Sequence, residues 1–233
     1  MRRAGWAGVC AAVVVAAAAG GGAAALAGGG TSHEPAPRPR ASSPALDRPA
    51  ADSADAGFAR DMAVHHQQAV EMSFVVRDRT DDEEIRRLAY DIANTQANQR
   101  GMMLGWLDLW GLPKVSSQPP MGWMGMSEHG SGHGSGGGSG GGSGGSGGAP
   151  LMPGMASKAD LARLGKAEGE RAEVLFLRLM TAHHKGGVHM AQGCVERCRV
   201  GVERDLAEGM VAAQESELEL MGDLLKARGA EGS

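Results

Sequence analysis

The stretch from Phe58 to Met72 reads FARDMAVHHQQAVEM, and the stretch from Phe176 to Met190 reads FLRLMTAHHKGGVHM. A shift of 118 residues lays 58–111 on 176–229 without a gap. Coincident residues include Phe58/Phe176, Met62/Met180, His65/His183, His66/His184 and Met72/Met190, and further on Leu88/Leu206, Gln96/Gln214, Met103/Met221 and Gly111/Gly229. Within each copy the apolar residues recur every three or four positions, as on one helix face. Phe58, Met62, His65, Ala69, Met72 and Val76 form the first such stripe, and Leu88, Ile92, Gln96, Gln99, Met103 and Leu107 the second. A single αα-hairpin has an apolar face that nothing covers. Two hairpins joined by a long crossover cover each other, which predicts an all-α, ferritin-like four-helix bundle.

Punctuation around the repeats sets the expected boundaries. Thr80 with Glu83 matches a capping box and predicts the start of the second helix there; Gly111, followed by Pro113, ends it. Ser157 with Asp160 is a cap for a third, longer helix reaching about residue 199. A fourth helix follows from about residue 202 to a stop at Gly229. The hairpins are thus expected at 54–111 and 157–229, together one domain over 54–229. Between them, 112–156 reads as a flexible linker that holds a Gly/Ser tract.

The chain starts differently. Arg2 and Arg3 precede an Ala/Val/Gly stretch to Gly30, with Ala25-Leu26-Ala27 as a small-x-small cleavage pattern. Residues 1–30 therefore read as a signal peptide or an uncleaved membrane anchor, and either role places the folded part outside the cytoplasm, secreted or held at the outer face of the membrane. Residues 31–53, rich in Pro, Ala and Ser, read as a disordered tether. The net charge is −4, and no run of Lys or Arg provides the basic footprint of a nucleic-acid binder. No nucleophile–base pair, phosphate loop or dinucleotide fingerprint appears either.

At a step of 100° per residue, with His65 at zero, Phe58, Met62, Ala69 and Met72 lie within about 60° of it and His66 at about 100°. The residues able to bind a metal thus share the face that must pack inward. They are Met62, His65, His66, Met72 and Met103 in the first copy, and Met180, His183, His184, Met190 and Met221 in the second. Gln96, Gln99, Gln214 and Glu217 face them from the hairpin partners. A buried imidazole needs a partner, because an unsatisfied polar group costs about 1–3 kcal/mol. Imidazole with thioether suits copper, above all Cu(I). Zinc prefers Cys or carboxylate beside His. A ferritin-like di-iron site needs several inward glutamates, and only Glu217 is so placed.

Weaker signals lie outside the stripe. Met121, Met124, Met126, His129 and His133 precede the Gly/Ser tract, Met152 and Met155 follow it, and such residues on a mobile segment are candidates for ion capture. Cys194 and Cys198, one helical turn apart, are open to three readings: soft ligands, a thiol pair or ordinary core residues. His189 points away from the stripe, as a surface residue does.

The combination Phe58-x3-Met62-x2-His65-His66-x5-Met72, Gln96-x6-Met103, Met152-Pro-Gly-Met155 and a repetition from Phe176 resembles domain-of-unknown-function family 305 over about residues 55–229. The resemblance implies an exported ferritin-like bundle and a copper-handling role for the Met–His–His residues. The chain departs from the family pattern in Gln99, in its cysteine pair and in its long Gly/Ser insertion. The leading expectation is a non-enzymatic extracytoplasmic protein that sequesters or passes on copper through Met and His. The alternatives are a metal-dependent oxidoreductase that uses the bundle core and a metal-free structural or interaction module.

Overall fold

A computed structural model describes residues 48–125 and 152–230. The N-terminal stretch, Met126, His129, His133 and the Gly/Ser tract lie outside the described residues. So do the expectations that rest on them.

The described residues form five helices: α1 (Ala54–Arg77), α2 (Glu83–Leu109), α3 (Lys158–Leu164), α4 (Glu170–Arg197) and α5 (Gly201–Ala227). The four long helices are those that the periodicity predicts, and the bundle is all-α. α1 packs on α2, α4 packs on α5, and α1 and α4 pack on each other as the inner pair. Met62, from the first half of α1, shares an apolar cluster with Met190, from the second half of α4, while Met72 shares the other cluster with Met180. α1 and α4 therefore run antiparallel.

Local chemistry explains the ends. Ser53 caps α1 by accepting from the Ala56 N–H. Gly111 and Gly229 take positive φ values of 61° after α2 and α5, a conformation that disfavours any side chain. Two expected starts move. α2 begins not at Thr80 but behind Asp82, whose carboxylate accepts from the Glu84 and Ile85 N–H groups. Thr80 Oγ1 instead accepts from Asp82 N and donates to the Glu173 carboxylate. The Ser157–Asp160 capping box is present, but it opens only the short α3. Gly165 closes that helix, and Gly169, at φ 56°, turns the chain before α4.

The supposed linker is also partly built into the bundle. Asp61 Oδ2 accepts from Met121 N at 2.8 Å and from Trp123 Nε1 at 2.9 Å. The Trp123 ring lies over Gly57, where a Cβ would come within 2.5 Å of it, and edge-on to Phe58. Met121 and Met152 are buried in the core, so they are not part of a mobile, exposed capture segment. Met124 is half-buried, its methyl against Gly193.

Candidate metal centre

All ten candidate side chains, Met62, His65, His66, Met72, Met103, Met180, His183, His184, Met190 and Met221, have zero solvent exposure. They form three layers. Met62, Met103 and Met190 belong to the apolar cluster at one end, and Met72, Met180 and Met221 to the cluster at the other. Each trio takes methionines from both hairpins. The sequence reading grouped them by copy, and spacing alone cannot show which residues meet across the inner helix pair. Between the trios lies a polar layer of the four histidines with Gln96 and Gln214, all buried.

The histidine rings are held by their Nε2 atoms. His65 Nε2 donates to the Pro153 carbonyl at 3.1 Å, and His183 Nε2 donates to the His65 carbonyl at 3.0 Å. A carbonyl can only accept, so each proton sits on Nε2 and each Nδ1 keeps its lone pair. His66 Nε2 donates to Gln99 Oε1 at 2.9 Å, with the same result. The rings of His65 and His183 lie against each other, tilted by 31°, with centroids 3.8 Å apart. Among the described residues the Nδ1 atoms of His65, His66 and His183 have no hydrogen-bond partner. His184 differs, because its Nδ1 faces the Met180 carbonyl at 3.0 Å and its Nε2 faces Glu217 Oε2 at 2.7 Å. Both of its nitrogens meet acceptors, and it has no free lone pair to offer.

Burial also keeps the rings of His65, His66 and His183 neutral. Loss of hydration pushes the His65 imidazole down to about 4 and His66 down to about 3, and neighbouring imidazoles add to the shift of His66. His183 is held well below 6.5, chiefly by burial and then by His65. A neutral imidazole with an unpaired nitrogen is the form that ligates a metal. The Nδ1 atoms do not by themselves form a cage. Among the described residues, the group of three His, Cys, Asp or Glu ligand atoms within 4.8 Å of one another is Cys194, Cys198 and Glu203, not the histidines. Thioethers would have to complete any site in the core. Met62 stands three residues before His65 and four before His66, as Met180 does before His183 and His184, the spacing of neighbours on a helix surface.

One part of the site was quoted as a motif in the sequence but given no role there. The turn Met152-Pro153-Gly154-Met155 crosses α4, and Gly154 has φ 76°. A Cβ on Gly186 would lie 2.0 Å from the Pro153 oxygen, and one on Gly154 2.2 Å from the Ala182 oxygen. Backbone thus packs on backbone, and the Pro153 carbonyl reaches His65. Gln68 holds the same turn from α1, accepting from Ala156 N and donating to Ala156 O. A glycine pair on an inward helix face, Gly186-Gly187, was the available signal, since glycine inside a helix costs about 1 kcal/mol and needs a packing reason. A Cβ on Gly187 would meet Gln214 Oε1 at 2.4 Å.

The family model for the domain of unknown function DUF305 matches residues 55–225. The chain belongs to this family. A DUF305 protein from Streptomyces coelicolor, provisionally described as secreted, is 65% identical with a TM-score of 0.68, over 79% of this chain and 99% of that one. A DUF305 fragment from Deinococcus radiodurans is 30% identical with a TM-score of 0.56, over 75% of this chain and 96% of that one. CopM in its Cu(I)-bound form is 19% identical with a TM-score of 0.52, over 74% and 96%, a likeness of fold. No curated protein matches the chain. Within the DUF305 bundle, the cysteines that the sequence left open form a disulfide, Cys194–Cys198, and His189 is exposed.

Proposed function

We propose that this protein is a non-enzymatic, extracytoplasmic binder of copper, held as Cu(I) by the core methionines and histidines and sequestered or passed on from there. One observation carries the reading: three neutral imidazole nitrogens, fully buried, with fixed tautomers and no partner, lie on helices that place thioethers three and four residues away. Soft thioether with imidazole is a donor set for Cu(I). Met62, Met103 and Met190 with His65 and His66 would serve one ion. Met72, Met180 and Met221 with His183 and His184 would serve a second, with His184 first giving up one of its hydrogen bonds. The Cu(I)-bound form of the structurally similar CopM supports copper, and the secreted description of the Streptomyces relative supports export. No helix among the described residues is long and apolar enough to cross a membrane. The N-terminal segment would provide export, with or without anchoring.

The rival reading, a purely structural polar layer, draws on the hydrogen bonds that already hold His66 to Gln99 and His184 to Glu217. Competition against a chromophoric Cu(I) chelator separates the two. The His65→Ala/His183→Ala double variant should lose at least about 100-fold in affinity while its helical circular dichroism is kept, given that even outer-shell partners of a metal typically cost 10–100-fold. His189→Ala should match wild type. Equal competition by the double variant and wild type would sink the ligand assignment.

A further inference from the structure

The two ends of the bundle treat buried acid differently. At one end Glu173 is neutralised, since Arg228 Nε donates to it at 2.7 Å and Thr80 donates to its other oxygen. At the other end Asp55 and Glu203 are buried, at 1% and 0% exposure, and among the described residues neither joins an ion pair. Asp55 Oδ1 accepts from the Arg199 and Val200 N–H groups, both at 2.7 Å, and so ties α1 to the turn between α4 and α5. Both oxygens of Glu203 have no hydrogen-bond partner among the described residues. A fully buried carboxyl with both oxygens unsatisfied is costly and needs a reason. The Cys194–Cys198 disulfide lies beside it, and one ligand atom from each of Cys194, Cys198 and Glu203 lies within 4.8 Å of the other two.

We propose that this end of the bundle is a second, redox-gated cation site, separate from the methionine–histidine core: once the Cys194–Cys198 disulfide is reduced, both thiolates and the Glu203 carboxylate hold one thiophilic d10 cation, Zn(II) or Cu(I). The chemistry balances through thiol–disulfide exchange. A dithiol reductant gives two electrons and two protons to the S–S bond, which becomes two thiols, and leaves as its own disulfide. The cation then displaces the proton of each thiol and of Glu203, which pass to solvent. Around a tetrahedral zinc with bonds of about 2.0–2.3 Å, ligand atoms are roughly 3.5–4 Å apart, which the 4.8 Å grouping reaches once the sulphurs separate. Burial, then the nearby Asp55 carboxylate and a hydrogen bond to it in the acid form, push the Glu203 carboxyl up to about 9, so in the oxidised protein it is a neutral acid that no cation compensates. A cation supplies what Arg228 supplies at the opposite end. The disulfide would then work as a latch: closed, the site is blocked; open, it adds capacity for a soft ion.

The test uses the full-length chain, oxidised or reduced anaerobically with a dithiol that is then removed, titrated with Zn(II) and separately with Cu(I) against a chromophoric chelator. Reduction should add one equivalent over the oxidised protein, so ions in the core cancel in the difference. With Co(II) in place of Zn(II), the reduced protein should gain a thiolate-to-metal charge-transfer absorption. The Cys194→Ser/Cys198→Ser variant, which keeps Cys10, should gain nothing on reduction. Glu203→Gln should bind at least about 10-fold more weakly with unchanged circular dichroism, by the scale of lost metal partners. Three results would each overturn the proposal: equal stoichiometry in both redox states, a gain that persists in the double-serine variant, or cysteines that become reducible only when the chain is unfolded. Wild-type affinity in Glu203→Gln would remove the carboxylate and with it the site as drawn.

Discussion

His66 and His184 stand 118 residues apart in equivalent places, both fully buried, and differ in what they have left to give. His66 faces the amide oxygen of Gln99 and keeps a lone pair on Nδ1. His184 faces the carboxylate of Glu217 on one side and a backbone carbonyl on the other, and keeps none. The helices barely register the difference. Two contacts separate the rings: Gln99 against Glu217 at Nε2, and the Met180 carbonyl that meets Nδ1 of His184 and has no counterpart at His66. The two copies thus carry unlike sites, and both the hairpin partner and the local backbone set the contrast.

The largest effect expected is with pH, and it tests whether the free imidazoles are neutral. In the metal-free protein the folded-state values of His65, His66 and His183 lie below 6.5, so between pH 6.5 and about 3 the unfolded chain binds more protons than the folded one. Stability is fully present above 6.5 and falls as pH drops through that window, by about 3 kcal/mol or more. Glu203 has the opposite sign: with its folded value near 9, its share is present below about 4.5 and is lost as pH rises toward 9. Denaturant titrations should therefore show an acid arm that His65→Ala/His183→Ala shortens and an alkaline arm that Glu203→Gln removes. A flat profile from pH 4 to 6.5 would mean that the imidazoles are not held neutral.

Next in size is the covering turn, which meets Gly186 in one hairpin and Gln68 in the other. Gly186→Ala drives a methyl group into the Pro153 oxygen and should cost about 3 kcal/mol or more. At the equivalent position in α1, Gln68→Ala should cost about 2 kcal/mol by leaving both polar groups of Ala156 unpaired. Chemical denaturation of the two variants gives the comparison directly, and a Gly186→Ala protein as stable as wild type would show that the turn does not rest on α4.

The smallest effect is the most specific. Glu217→Gln should give His184 the amide partner that His66 has, at a cost of about 1 kcal/mol, and Gln99→Glu should raise the His66 titration by about 1–3 pH units. Histidine ring resonances followed against pH by NMR would read both. If Gln99→Glu leaves His66 where it was, the contact seen between the two is not what sets its chemistry.

Much of this was legible because helices repeat on a short period. The stripes placed all ten candidates on inward faces, and Ser157, Gly111 and Gly229 act where local rules put them. Misreadings came where two signals overlap or where the deciding contact is distant in sequence. Thr80 and Asp82 both match a cap, and the tertiary demand of Glu173 for the Thr80 hydroxyl leaves Asp82 to start α2. Gly165 and Gly169 sit in an otherwise periodic run, which hid the break between α3 and α4. The methionine trios, the Pro153 carbonyl and the Asp55–Glu203 pair all depend on how α1 meets α4 or on the turn that crosses it. Spacing within one helix carries no record of that meeting. The free lone pairs are more remote still, since each follows from which oxygen the opposite nitrogen finds.

The complete enclosure of the ten side chains has a kinetic consequence. An ion bound as proposed could not reach the central layer by diffusion alone; some part of the bundle would first have to open, and the rate of opening would set a ceiling on loading. As the ion concentration rises, the observed rate should level off rather than climb in proportion, and release into a strong chelator should stop depending on chelator concentration. A bundle closed in this way would give up a bound ion on its own clock.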